Sequence, residues 1–243
     1  MGHLVMKHIA IILARGGSKR LPRKNILDFH GKPMLAWTIE AALQSGQYDH
    51  VLVSTDDPEI AEIARSFGAQ VPFLRDSATD DIAQSSEATL AALRQAEQHW
   101  GEQFDAVSQL MANCPLRDAD DITAAVQNFI ERDAESQICS FRFGWMNPWW
   151  AAKLDEQCRP EYLFPEYRIA RSQDLPPLYC PSGAIWVARG PVFKSAKTFY
   201  SPNHIFHSLS WMSAMDIDDA EDLEMAKACF LIKRHQTLAY SVK

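Results

Sequence analysis

The chain has 243 residues, of which 47% are hydrophobic and 23% charged, and a formal net charge of −7. That length supports one sizeable α/β domain with its own core, and no apolar run approaches the ~20 residues that cross a bilayer, so no membrane role is expected. An acidic protein repels a phosphate backbone, which argues against nucleic acid as its main partner. The five cysteines, Cys114, Cys139, Cys158, Cys180 and Cys229, form no CxxC pair. They argue against a zinc site and a disulfide framework and suit a reducing cytoplasm. Met1–Met6 carry no secretory leader and read as an addition ahead of a native Met6.

His8–Ala14 is a continuous apolar run with β-branched residues, which predicts a buried parallel strand. After a polar loop, Pro33 opens a helix pattern through about Gln44. Val51–Thr55 reads as a second strand ending in the Asp56-Asp57-Pro58 turn. A helix then runs over Glu59–Phe67, is stopped by Gly68, and is followed by a third strand at Gln70–Leu74. Ser85 opens a long helix to about Trp100. Ala106–Met111 reads as a strand, Asp118–Arg132 as a helix and Ser136–Phe141 as a strand. This alternation predicts a mostly parallel sheet with helices on both faces, a doubly wound α/β architecture. In such sheets ligands bind outside the carboxyl ends of the strands. The Arg15 loop, Asp56 and Asn113 each follow a predicted strand directly, so one mouth collects them.

The pattern breaks near Gly144. Residues 144–182 are rich in proline and in aromatics, including Trp145, Trp149, Trp150, Tyr162, Phe164 and Tyr167. They read as an inserted segment within a single domain spanning 7–233. Exposed aromatic clusters mark interfaces; the alternative is an irregular loop packed on its own core. Strand signal returns at Ala184–Ala188 and before Asp216, and a last helix spans about Ala220 to Lys233.

The strongest local signal is Leu13–Asn25, Leu-Ala-Arg-Gly-Gly-Ser-Lys-Arg-Leu-Pro-Arg-Lys-Asn, directly after the first strand. Gly16 and Gly17 permit a sharp turn and a close backbone approach to phosphate. Arg15, Lys19, Arg20, Arg23 and Lys24 crowd the same loop, and a triphosphate needs several cations. The spacing fits neither a dinucleotide fingerprint nor a Walker A loop. A second signal is Asp216-Ile217-Asp218. On an extended strand these carboxylates point the same way, and paired hard oxygens suit Mg2+ bound together with substrate phosphates. The acidic residues that follow, Asp219 to Glu224, read as the first turns of the last helix.

The loop resembles the signature of the sugar cytidylyltransferases that make CMP-sialic acids. So do Gly31–Ala36, Ser54–Asp57, Phe73–Arg75, Cys114–Arg117, Arg171–Pro176, Ser182–Ile185 and Met215–Asp218, in order from about Ile9 to Lys227. The resemblance implies a Rossmann-like three-layer nucleotidyltransferase fold with an inserted dimerisation segment at 144–182, and hence a homodimer. It implies attack by the anomeric hydroxyl of an acidic nine-carbon sugar on the α-phosphorus of CTP, with release of pyrophosphate. Arg15 and Lys24 would hold the phosphates, with Ala14, Gly16, Gly17, Ser18 and Lys19 around them. Asn25, Arg75 and Ser86 would read cytosine and ribose, and Asp216 and Asp218 would hold Mg2+. Arg15, Lys24 and Asp218 are the expected catalytic residues.

The sugar side departs from the family pattern. Ser172 follows Arg171 where a second arginine is common, Met111 replaces a glutamine, and Trp186 replaces a tyrosine. With Asn113 and Gln173, these residues form the expected sugar site. The changes point away from plain N-acetylneuraminate, and the Arg15–Asn25 loop with Val71–Arg75 resembles relatives acting on pseudaminic or legionaminic acid. An eight-carbon ulosonate, a non-catalytic nucleotide binder of the same fold and a Rossmann dehydrogenase are the competing readings. The last lacks the glycine fingerprint.

Overall fold

A computed structural model describes residues 6–77 and 84–241, the last seven as backbone only. The first strand, β1 (His8–Leu13), is buried along its whole length, as a central strand covered on both faces must be. After it come two short pairing strands, β2 (Asp28–Phe29) and β3 (Lys32–Pro33), helix α1 (Met34–Ser45), strand β4 (His50–Ser54) and helix α2 (Pro58–Ser66). Next are α3 (Ser85–Trp100), β5 (Ala106–Met111), α4 (Ala119–Glu131) and β6 (Ser136–Arg142). A small hairpin of β7 (Ala152–Leu154) and β8 (Pro160–Tyr162) precedes the long β9 (Tyr179–Arg189). The chain ends with α5 (Gly190–Ala196), β10 (Ile205–Ser208) and α6 (Ala220–Ser241).

Six strands form one sheet in the order β10-β6-β9-β5-β1-β4. β1 runs parallel to β4 and β5, and β10 runs parallel to β6; β9 is antiparallel to both β5 and β6. The expected mostly parallel sheet is therefore present, with a single reversed strand, β9, between two parallel blocks. One apolar cluster joins Leu35 and Ile39 of α1 and Val126 and Phe129 of α4 to Ala10, Ile12 and Val53 of the sheet. A second joins Leu93 and Ala96 of α3 and Phe193 of α5 to Ile9, Ile11 and Leu52. Alternate residues of β1 thus serve opposite faces, as a strand's two-residue period requires.

The expected strand at Gln70–Leu74 does not form. Gln70 makes a single parallel bridge to Leu52, its N–H donating to Val51 and its carbonyl accepting from Val53. The next ladder donor would come from position 72, which is Pro72 and has no N–H, so pairing stops. The 144–182 stretch is irregular, as expected, apart from its hairpin, three short 3-10 turns and the first residues of β9. Within it Trp149 packs on Phe164 and Tyr167, with ring centroids 4.8 and 4.5 Å apart, and donates its indole N–H to the Pro176 carbonyl. Trp145, Met146, Leu154 and Ile169 stay exposed.

The last helix packs through Leu223, Ala226, Cys229 and Phe230 onto Phe29, Met34 and Leu116. This anchoring brings the preceding Asp216–Asp218 turn against the end of β5. Asp216–Asp218 lies in no regular element rather than in the expected strand. Its Ile217 N–H donates to Asn113 O at 2.9 Å, linking it to the end of β5. The acidic run after it does cap the helix: Asp219 Oδ1 accepts from the amides of Glu221 and Asp222, while Asp222 Oδ2 accepts from those of Asp218 and Asp219.

Candidate active site

A cleft of about 550 Å³ opens at the carboxyl ends of β1 and β5, where an open α/β sheet binds its ligands. It is lined by Arg15, Ser18, Lys19, Arg20, Lys24 and Asn25 from the first loop, by Arg75 after β4 and by Ser85 and Ala88 of α3. Met111 and Asn113 from the end of β5, with Asp216 and Asp218, close it. Ten of the sequence-predicted site residues therefore meet in one cleft.

The loop is shaped from behind. Gly16 donates its N–H to Asp56 Oδ1 at 3.0 Å, and a Cβ there would lie 2.6 Å from Asp57 Oδ2, so any larger residue must displace the Asp57 carboxylate. Asp57 also caps α2, accepting from the amides of Glu59 and Ile60, and it pairs with Arg23, which in turn reaches Glu59. Burial pushes the Asp57 carboxyl up, but the Arg23 hydrogen bond and the cap outweigh it and hold it below its ordinary value. Asn25, buried, spends its amide N–H on the Arg15 carbonyl at 2.9 Å. Ala14, Gly16 and Gly17 thus stand behind the wall of the cleft rather than on it, and the Gly16 amide faces Asp56 instead of the open space.

Arg75 is buried, with Nη1 3.3 and 3.2 Å from the carbonyl and hydroxyl oxygens of Ser54, and its Nε has no hydrogen-bond partner among the described residues. Desolvation lowers its pKa, with Asp56 opposing and Arg15 adding to that shift. A buried guanidinium on the wall of a cleft is a strong anchor for an anion or a base oxygen. Helix α3 presents Ser85 to the cleft, whereas the expected Ser86 is buried and does not line it. One residue along a helix is a rotation of about 100°, which sequence reading alone does not resolve.

Lys24 Nζ donates to Asp218 Oδ1 at 2.8 Å and Arg20 Nη2 to Asp218 Oδ2 at 2.5 Å. Burial pushes the Asp218 carboxyl up, but Lys24 and Arg20 outweigh it and hold it below the usual carboxylate range. Asp216 goes the other way, raised by burial and then by the Asp218 charge. Asn113 donates Nδ2 to the Ile217 carbonyl at 3.1 Å and, at 3.4 Å, to Asp218 Oδ1, while its own Oδ1 is a buried acceptor with no partner. Among the described residues no group of three His, Cys, Asp or Glu side chains could hold a metal by itself. Two carboxylates beside an unsatisfied amide oxygen fit an ion that takes its other ligands from phosphate and water, as Mg2+ does. Cys114, just beneath, is fully buried and its thiol is pushed up to about 12 by burial, so it is no nucleophile.

Three expected sugar contacts lie outside the cleft. Arg171 and Gln173 sit exposed in a 3-10 turn of the inserted segment and its cap, with Arg171 Nε paired to Asp174 at 2.7 Å. Trp186 does not line the cleft: its indole donates to the Ser182 carbonyl at 2.6 Å and packs edge-on against Phe199 and Tyr200. Met111 does line the cleft, over Gly183: a Cβ on Gly183 would come within 2.9 Å of Met111 Cγ. Sequence reasoning missed two arginines. Arg20 had been counted only as loop charge. Arg117, of the Cys-Pro-Leu-Arg motif, is fully buried and donates to the Ala184 carbonyl at 2.5 Å and to Thr38 Oγ1 at 2.6 Å, tying β9 to α1 below the cleft.

The cytidylyltransferase family profile matches residues 9–147. The chain is 36% identical to a pseudaminic acid cytidylyltransferase of Campylobacter jejuni over 93% of its own length and 97% of that protein. It is 35% identical to a CMP-N,N'-diacetyllegionaminic acid synthase of Legionella pneumophila, over 89% of this chain and 93% of that one. It is 31% identical to an N-acylneuraminate cytidylyltransferase of Streptococcus agalactiae, over 89% of this chain and 52% of the longer relative. Among solved structures, a CMP:2-keto-3-deoxy-manno-octonic acid synthetase complexed with CTP superposes with a TM-score of 0.70 at 18% identity, covering 93% of this chain and 99% of that one, a likeness of fold. The chain belongs to the cytidylyltransferase family and is a nucleotidyltransferase.

Proposed function

We propose that the protein transfers CMP from CTP to the anomeric hydroxyl of a nine-carbon, sialic-acid-like ulosonic acid and releases pyrophosphate. The observation that carries this reading is the convergence, in one cleft at the strand ends, of five cations from Arg15 to Arg75 with the Asp216 and Asp218 carboxylates. Relatives named for pseudaminic and legionaminic acid support the sugar class. Met111 supports it further, since a thioether offers the sugar an apolar contact rather than an amide hydrogen bond.

The chemistry asks for positioning and charge, not for a nucleophilic side chain. Arg15, Lys19, Arg20 and Lys24 bind the triphosphate, and Arg75 with Ser85 bounds the side toward α3, where the nucleoside is read. The sugar oxygen bonds to the α-phosphorus as the bond to the pyrophosphate oxygen breaks. Asp216 and Asp218 would hold Mg2+, which when bound neutralises charge on the α-phosphate and on the leaving group. Lys24, three-quarters or more shielded from water, keeps a cation beside that charge.

We further propose a homodimer. Trp145, Met146, Leu154 and Ile169 leave the inserted segment with large exposed apolar side chains, a surface that favours a partner. Arg171 and Gln173 lie outside their own chain's cleft, and a second copy would bring them to the sugar. A reducing cytoplasm suits the five free cysteines.

The test is pyrophosphate release from CTP and Mg2+ with N-acetylneuraminic, legionaminic, pseudaminic and eight-carbon ulosonic acids. Release with one nine-carbon acid, lost on adding EDTA, is expected. Release with the eight-carbon acid alone would replace the proposed substrate. CTP binding without release from any of the acids would leave a nucleotide-binding protein only.

A further inference from the structure

Both carboxylate oxygens of Asp218 are occupied by cations: Oδ1 by Lys24 at 2.8 Å and Oδ2 by Arg20 at 2.5 Å. Those cations belong to the loop that would bind a triphosphate, and that carboxylate belongs to the pair that would bind a divalent cation. Asp216, two residues earlier, makes no ion pair among the described residues. The two loop cations differ in freedom. The Lys24 side chain is 14% exposed, whereas that of Arg20 is 66% exposed and spans to Asp218 from the solvent side.

A metal ion cannot use the Asp218 oxygens while two cations hold them. A triphosphate cannot have Arg20 and Lys24 in full while Asp218 holds them. One exchange removes both obstacles: phosphate oxygens draw the cations off, and the carboxylate so released faces the metal. We infer that Arg20 is a further nucleotide-binding residue, held on Asp218 until the triphosphate arrives, so that nucleotide and divalent cation bind as a coupled pair. The coupling is reciprocal, because each ligand breaks the ion pairs that oppose the other. It also guards the site: without nucleotide, a stray divalent ion meets a carboxylate already neutralised. This inference rests on the reading of the cleft as a CTP and metal site.

The test separates the two ligands. CTP is titrated calorimetrically into the full chain in EDTA. Arg20→Ala is expected to weaken metal-free CTP binding by about fivefold, and Arg20→Lys to recover part of the loss. Asp218→Asn, which releases both cations, is expected to tighten CTP by about fivefold, and Asp216→Asn, which removes the same charge but releases no arginine, to tighten it less. Mn2+ is then titrated into the nucleotide-free protein and free ion read by electron paramagnetic resonance. Arg20→Ala is expected to tighten Mn2+ by about fivefold. One substitution thus moves the two ligands in opposite directions, which a merely structural role would not do. Arg20→Ala changing neither ligand, or weakening both, overturns the inference, as does equal tightening of CTP by the two aspartate variants. If the unaltered protein with Mg2+ binds no CTP at all, the cleft reading itself falls and takes the exchange with it.

Discussion

The mouth of the sheet and the 144–178 segment were equally conspicuous in the sequence, yet they are built in opposite ways. At the mouth, side chains from positions as far apart as Arg20 and Asp218 meet within hydrogen-bonding distance. Parallel strands hold them there, because each strand delivers its following loop to the same end. In the segment, Trp149 packs on Phe164 and Tyr167, but Trp145 and Ile169 stay exposed, and Arg171 pairs with Asp174, a neighbour three residues on. The cations of the proposed nucleotide site thus line one cleft within one chain, whereas Arg171 and Gln173 of the proposed sugar site lie outside it.

Substitutions at the two regions sharpen this contrast. The largest effect belongs to the mouth: Asp218→Asn is expected to cut turnover by about a thousandfold, or about 4 kcal/mol, with the circular dichroism spectrum unchanged. Near-normal turnover would remove Asp218 from the metal site. Next comes the segment. Ile169→Glu puts a charge on its most exposed apolar residue and is expected to give a monomer in sedimentation, with sugar-dependent turnover down by ~10–100-fold and CTP binding held within about twofold. A monomer that works normally would break the contrast, because the sugar half would then be complete in one chain. Smaller still is Gly183→Ala. Its methyl displaces Met111 into the cleft, and the expected result is about a tenfold rise in KM for the sugar with little change in KM for CTP.

A further effect, on stability rather than turnover, concerns neither region. His8 begins β1, at the end of the sheet away from the cleft; it is buried and hydrogen-bonded to Ser108, and burial lowers its pKa to about 3, with Asp49 opposing. The unfolded chain therefore binds the extra proton first, and stability falls as pH drops from about 6.5 toward 3, by up to about 1.4 kcal/mol per pH unit. Urea unfolding at pH 7.5, 6 and 5 is expected to reveal that slope, and His8→Gln to flatten it. An unchanged slope would assign the acid sensitivity to other groups.

Much of the fold was legible because strands and loops announce themselves locally. The apolar run of β1, the glycines and cations after it, and the helix-strand alternation each depend on neighbouring residues alone. What escaped depended on contacts across the chain. Pro72 ends a strand only because the next ladder bond would have fallen on its missing N–H. Ser85 rather than Ser86 faces the cleft because of how α3 is rotated on the sheet. Trp186 packs on Phe199 and Tyr200 instead of lining the mouth. Arg20 reads as one charge among five until Asp218, 198 residues later, closes on it. Charge and spacing identify a site's ingredients, whereas their pairing is a property of the packed sheet.

Asp57 shows how such pairings constrain change over generations. One carboxylate caps α2, grips Arg23 and crowds the place where any side chain on Gly16 would sit. A substitution at any of the three leaves the other two ill-fitting: a larger residue at 16 collides, a lost Arg23 leaves the acid underpaired, a lost Asp57 unseats a helix and a loop at once. The three positions are therefore coupled: each fits only while the other two stay in place. A change of loop shape thus asks for compensating changes at more than one of these positions at once.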